Sequence, residues 1–175
     1  NIVVTINKFP IQLIVLEKCT NTLDHLLEKS LIDSNELGAI LMQIIMILIV
    51  YQKTFDFTHN DLHTNNIMYV ETERQYLYYC VNKTYYKVPT YGKIFKIIDF
   101  GRAIYKFNNK LLCSNSFSST GDAHTQYNCE PYYDPKKKKI EPNFSFDLCR
   151  LACSIFDFII DDIDNVNVDD EVCNI

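Results

Sequence analysis

Glycine is scarce in this chain of 175 residues: Gly38, Gly92, Gly101 and Gly121 are the full set. They stand far apart, so no Gly-rich loop that wraps phosphate in backbone N–H groups can be assembled from them. Cysteine is present but unpatterned. There are seven, an odd number, and none falls in a Cys-x-x-Cys pair. That arrangement excludes a zinc ribbon and gives no clean disulfide framework. Cys149 and Cys153 lie one helical turn apart and read as small apolar residues rather than ligands. A reducing, intracellular compartment is the expectation. Positive charge is also short. The net charge is −5, and the only basic run, Lys136 to Lys139, is followed by an acidic tail over 161–175. A nucleic-acid partner is therefore not expected. The chain opens on Asn rather than Met, and no signal peptide is expected in it.

What is present is a large apolar fraction, 47%, enough for one domain with a core. Residues 2–6 and 11–17 read as strands, the second apolar enough to be buried on both faces. Thr22 is placed to cap a short helix that carries Leu23, Leu26 and Leu27 on one face. Asp33-x-x-Glu36 resembles a capping box and opens the longest helix, over 37–53. That helix is apolar nearly all round. A membrane span needs ~20 apolar residues, whereas about fifteen run here and Gln43 interrupts them. A buried central helix is the better reading, so no membrane partner is expected. Residues 67–70 and 94–98 read as strands. Between them, residues 76–79 and 85–88 alternate like a β-hairpin turning at Asn82-Lys83. Residues 108–122 read as a Ser- and Asn-rich mobile loop, and 144–160 as a second apolar helix.

Chemistry concentrates at two places. The first is His59-Asn60-Asp61-Leu62-His63-Thr64-Asn65-Asn66, between the long helix and a strand. The second is Asp99-Phe100-Gly101, directly after the strand at 94–98. Either alone would be an ordinary loop. Together they supply two carboxylates and an amide, a set suited to phosphoryl transfer. Asp61 takes or orients a hydroxyl proton, while Asn66 and Asp99 hold Mg²⁺ on nucleotide phosphates.

In these two motifs the chain resembles the protein-kinase superfamily, which carries His-Arg-Asp-Leu-x-x-x-Asn followed by Asp-Phe-Gly. Its Asp-Leu-His-x-x-Asn is also similar to haspin-like kinases and to small-molecule phosphotransferases. The abundance of Asn, Ile, Tyr and Lys, with the long hairpin, looks most like kinase-domain proteins of large nucleocytoplasmic DNA viruses. The cytoplasm of an infected cell would then be the setting.

The resemblance implies an α+β, kinase-like fold, namely a mostly helical C-terminal lobe with the last one or two strands of the N-terminal lobe. Residues 1–17 would be the N-lobe remnant, 18–160 the C-terminal lobe and 161–175 a tail. It implies ATP and Mg²⁺ as cofactors and a protein Ser/Thr as acceptor; the oligomeric state is left open. Leu16 would be the gatekeeper, Glu17 and Cys19 would lie at the adenine hinge, and Met68 would lie beneath the adenine ring. His63 would stand where a Lys steadies the γ-phosphate, or would simply be hydrogen-bonded within the loop. His59 would stack on Phe100. Asp147 would grip the backbone of the catalytic loop, its alternative being a favourable charge in the first turn of its helix. Residues 125–131 resemble the end of an activation segment, with Glu and Pro in swapped order. With no Gly-rich loop or strand Lys, the chain is expected to be a fragment that does not catalyse alone. Two alternatives stand beside a protein kinase: a phosphotransferase of the aminoglycoside or choline kinase type, and a pseudokinase serving as a binding module.

Overall fold

The longest element is set by its caps. The Asp33 carboxylate accepts the Glu36 N–H at 2.8 Å and starts helix α2, Ser34–Phe55. At the other end Asp56 turns left-handed, with φ 46°, and its N–H closes on the Gln52 carbonyl. In this computed structural model, which describes residues 8, 10–127 and 140–159, α2 is the backbone of the core. Ile40, Ile44 and Leu48, one helical turn apart, are buried against β-strands and a second helix. By length and composition α2 is also apolar enough to cross a membrane. Its one polar interruption has a use inside the fold. Gln43 is fully buried, donating to the Lys93 carbonyl at 3.2 Å and accepting from the Phe95 N–H at 3.1 Å. The amide thereby satisfies backbone groups on the edge of a strand that has no further strand neighbour among the described residues.

The architecture is α+β, built from small antiparallel sheets and a few helices. Helix α1, Leu23–Glu28, starts where the Thr22 hydroxyl accepts the His25 N–H at 3.2 Å. Strands β1 (Asn21–Thr22), β2 (Ile67–Glu71) and β5 (Lys93–Ile97) form one sheet in the order β1-β2-β5. In the β2–β5 register Ile67 faces Ile97 and Tyr69 faces Phe95. These four point inward, onto Leu23, Leu26, Ile40, Ile44 and Leu48, and Leu151 and Ile155 close the same core from helix α3, Phe146–Ile159. Each such fully buried aliphatic side chain contributes about 1.5–3 kcal/mol. The opposite face of the sheet carries Met68, Val70, Ile94 and Lys96.

Two hairpins complete the described chain. Strands β3 (Tyr76–Val81) and β4 (Thr84–Pro89) pair across Asn82-Lys83, both with positive φ, the turn hand that matches strand twist. That is the hairpin expected from the sequence. The second was not expected. Within the stretch read as a loop, β6 (Ile104–Phe107) and β7 (Lys110–Cys113) pair across Asn108-Asn109, again with φ positive at both. Asn tolerates the left-handed region, so a pair that reads as loop composition serves as a tight turn. These hairpins make the described chain less dominated by helix than a mostly helical lobe would be.

The segment 11–17 corrects a second expectation. It forms no strand, and Ile11, Leu13, Ile14, Val15 and Leu16 are all more than 70% exposed. Apolar content alone does not make a strand, since its N–H and C=O groups need partners, and among the described residues no strand runs alongside. The strand expected over 2–6 lies outside the described residues, as do the tail over 161–175 and most of the expected activation-segment end.

Candidate active site

The chain leaves α2 through Phe57 and enters an irregular loop that is more buried than most loops. Thr58 is bridged to Ile104 by a reciprocal pair of backbone hydrogen bonds at 2.9 Å. The next two residues, His59 and Asn60, are buried, and their N–H groups need partners. Asp147, on the first turn of α3 and fully buried, supplies both. Its Oδ2 accepts the His59 N–H at 2.8 Å and its Oδ1 the Asn60 N–H at 2.9 Å. Burial pushes the Asp147 carboxyl above its ordinary range, and these two N–H groups pull it back down. The gripping role expected for Asp147 is the one observed.

His59 joins the loop to β5. Its Nε2 lies 2.9 Å from the Ile98 carbonyl, and its Nδ1 lies 3.3 Å from the Asp61 N–H. A carbonyl accepts and an N–H donates, so the ring is protonated on Nε2 alone, the neutral tautomer. Burial favours that state by pushing the imidazole below its ordinary range, although the Ile98 carbonyl and the carboxylates of Asp147, Asp61 and Asp99 pull upward. The ring packs on Phe100 with centroids 5.5 Å apart, inside an aromatic group that includes Phe57 and Tyr51. The two rings expected to stack do meet, but tilted by 52° rather than stacked.

Asn60 sits where the resemblance would put Arg. It has φ 68° and is 1% exposed. Its Nδ2 donates to the Arg102 carbonyl at 2.8 Å, its Oδ1 accepts from the Tyr127 hydroxyl, and its backbone carbonyl accepts from Gln126 Nε2 at 2.6 Å. A neutral amide therefore ties the 114–127 segment to the loop after α2. Gly121 lets that segment fold tightly: a Cβ there would lie 2.1 Å from the Ser116 carbonyl oxygen.

Asn66 and Asp99 are brought near each other by the backbone at one end of the β2–β5 ladder. Asn66 immediately precedes β2, and its carbonyl accepts the Ile98 N–H at 3.0 Å, so Asp99 follows just beyond it. Asp99 adopts a left-handed backbone, φ 60°, which for a non-Gly residue is an uncommon conformation that persists where surrounding structure fixes it. Its Oδ1 accepts the Gly101 N–H at 3.3 Å. Asn66 donates Nδ2 to the Asp61 carbonyl at 2.9 Å and contacts His63 Nε2 at 3.1 Å. That use of the nitrogen fixes the amide's orientation, and Asn66 Oδ1 accepts no hydrogen bond from the described residues. Asp61 itself is half-buried. Its Oδ1 is ion-paired with Arg102 at 3.2 Å, and its Oδ2 accepts no hydrogen bond from the described residues.

A divalent metal fits this donor set in kind and number. Asn66 Oδ1 and an Asp99 carboxylate are hard oxygen donors, the type Mg²⁺ takes. Among the described residues no cluster of three or more His, Cys, Asp or Glu could hold a metal by itself. Two protein ligands, with phosphate oxygens and water completing the shell, is how Mg²⁺ is commonly held.

The remaining expected site residues are not gathered as tightly. His63 is held by Asn66, as in the reading that kept it within the loop, and lines a shallow polar cavity with Asp24, Thr64, Arg150, Ser154 and Asp157. Met68 lies on the outer face of the sheet, directly across the ladder from Lys96. Glu17 is ion-paired with Lys96, which brings it to that same face, and Cys19 is partly buried nearby in sequence. Leu16 is 76% exposed, so these residues do not build a gatekeeper wall around it. Sequence reading missed Arg102. Forty-one positions separate it from Asp61, and no local pattern signals the pairing. No protein-family model and no curated protein matches this sequence, so what the site is rests on its residues and their geometry.

Proposed function

We propose that the chain carries the catalytic half of a kinase-like phosphotransferase that moves the γ-phosphoryl group of ATP to a protein Ser or Thr hydroxyl. One observation carries this reading most. The Asn66 amide bonds the Asp61 carbonyl, the Asn66 carbonyl takes the N–H of Ile98, the residue before Asp99, and Asp147 and His59 accept the N–H groups of the loop that carries Asp61. A solvated turn has no need of that grip. Asp61 Oδ2 is the acceptor for the hydroxyl proton, and it aligns the oxygen for attack. Asn66 Oδ1 and Asp99 are the groups that would hold Mg²⁺, which when bound neutralises phosphate charge. The outer face of the sheet, with Met68, is where an adenine ring would rest.

The 114–127 segment favours a protein acceptor. Gln126 and Tyr127 hold it against Asn60, beside Asp61, where a polypeptide acceptor needs a platform. A small-molecule phosphotransferase has no use for such a segment. A pseudokinase module would not need Asp61, Asn66 and Asp99 together. On this reading the protein works in the cytoplasm, on protein substrates.

The test uses two substitutions in the full-length protein. Asp61→Asn should lower kcat by about 10²–10⁴-fold while Mg-ATP affinity stays near wild type. Asp99→Asn should weaken Mg-ATP binding itself. Equal loss of affinity in both variants, measured by titration, would refute this division of roles.

A further inference from the structure

Arg102 stands outside both motifs, yet it touches more of the site than any other cation among the described residues. Its Nη1 lies 3.2 Å from Asp61 Oδ1, and its Nη2 lies 3.3 Å from Asp122 Oδ2. A surface ion pair alone would mean little, and Asp122 is mostly exposed. What sets Arg102 apart is how its backbone is held. Its carbonyl accepts from Asn60 Nδ2 at 2.8 Å, and the following residues, Ala103 and Ile104, are buried, with Ile104 bonded to Thr58 in both directions. The base of the side chain is thus fixed to the catalytic loop it reaches back to. The guanidinium is a planar fork whose two ends suit two carboxylates at once, a geometry that Lys cannot reproduce.

We infer that Arg102 is a positioning residue for phosphoryl transfer: it holds the Asp61 carboxylate by Oδ1, keeps Oδ2 turned to the acceptor hydroxyl, and couples that orientation to the 114–127 segment through Asp122. The inference rests on the reading above. The coupling runs further into the segment. Ser116 and Arg102 together hold the Asp122 carboxyl below its ordinary range. The Ser116 carbonyl in turn accepts the Ala123 N–H at 2.9 Å. Seating of the segment and aim of the base are therefore one event. An acceptor protein that orders residues 116–126 also fixes Asp122, and through Arg102 the carboxylate that receives the proton.

Three variants of the full-length protein test this, Arg102→Met, Arg102→Lys and Asp122→Asn, with two independent readouts. The first is amide hydrogen exchange, which needs no activity. Arg102→Met and Asp122→Asn should each speed exchange over 116–126 by about three- to fivefold, the scale of one exposed ion pair. Combining them should add nothing, while the His59 and Asn60 amides, held by Asp147, stay protected. The second is steady-state transfer to a protein acceptor with Mg-ATP varied. Arg102→Met should lower kcat by about tenfold to a hundredfold, the scale of a misaligned reacting group, with KM for Mg-ATP within twofold. Arg102→Lys should recover most of kcat, because one ammonium can face Asp61, yet leave exchange over 116–126 as fast as in Asp122→Asn. Wild-type exchange in Arg102→Met would overturn the coupling, and wild-type kcat in a transferring Arg102→Met protein would overturn the positioning role. Absence of transfer by the wild-type protein would instead overturn the proposed reaction, and the exchange arm would still decide whether the bridge exists.

Discussion

Replacing Asp147 by Asn isolates the grip on the His59–Asn60 loop with the smallest change of shape. In the wild type, two carboxylate oxygens accept two buried N–H groups, at 2.8 and 2.9 Å. An amide has one oxygen. Whichever way it turns, its NH₂ faces the other backbone N–H, and a donor is left buried against a donor. Losing a charge-assisted hydrogen bond and leaving that donor unsatisfied costs about 2–4 kcal/mol. Against this, Asn removes the burial of a charge, the same effect that pushes the Asp147 carboxyl upward. Burial still outweighs the two N–H groups, since the carboxyl stays above its ordinary range, so relief returns part of that cost and a net loss of about 1 kcal/mol is expected. Urea unfolding of both proteins at neutral pH gives the difference directly, since the shapes match and the slopes should agree. Exchange of the His59 and Asn60 amides gives it locally: one of the two should lose protection and the other keep it. A variant within about 0.5 kcal/mol of wild type, with both amides still protected, would mean Asp147 sits at the helix start for dipole reasons alone.

Burial holds the folded pKa of His59 below its ordinary value, so the unfolded chain binds that proton first. Stability should then fall as pH drops through about 6.5, at up to ~1.4 kcal/mol per pH unit from this group, and His59→Gln should flatten the decline measured by urea midpoints. Asp147 contributes with the opposite sign, because its raised folded pKa makes stability rise as pH falls through that value. The Thr58 hydroxyl is buried with no hydrogen-bond partner among the described residues. Thr58→Val should therefore raise stability, by about 1 kcal/mol, seen as a higher Tm; a lower Tm would show that the hydroxyl is satisfied. Finally, replacing Ser114, Ser116, Ser118, Ser119 and Thr120 together by Ala should leave kcat within a few-fold, because neutral Asn60, already bonded to Gln126 and Tyr127, has no charge with which to gather a phosphate. A loss of a hundredfold, restored by acidic substitutes, would contradict this.

The sequence by itself determined the elements whose signals are local. Asp33 and Glu36 marked the start of α2, Thr22 that of α1, and alternation around Asn82-Lys83 gave the β3–β4 hairpin, because caps and turns are decided by residues a few positions apart. The spacing of Asp61, Asn66 and Asp99 pointed to the groups proposed here to react for the same reason, since each motif lies within one loop. Tertiary structure decided what depends on partners distant in the chain. Residues 11–17 have strand composition but form none, because a strand exists only where another chain segment meets its hydrogen bonds. Gln43 read as an interruption in an apolar helix and proved to be a backbone partner for β5, fifty residues away. Arg102 met Asp61 across 41 residues, whereas the grip of Asp147 on His59 and Asn60, across 88 and 87, was expected only through the family resemblance. Such contacts leave no period or spacing to read, because their geometry comes from how α2, α3 and the sheet pack together rather than from any one segment.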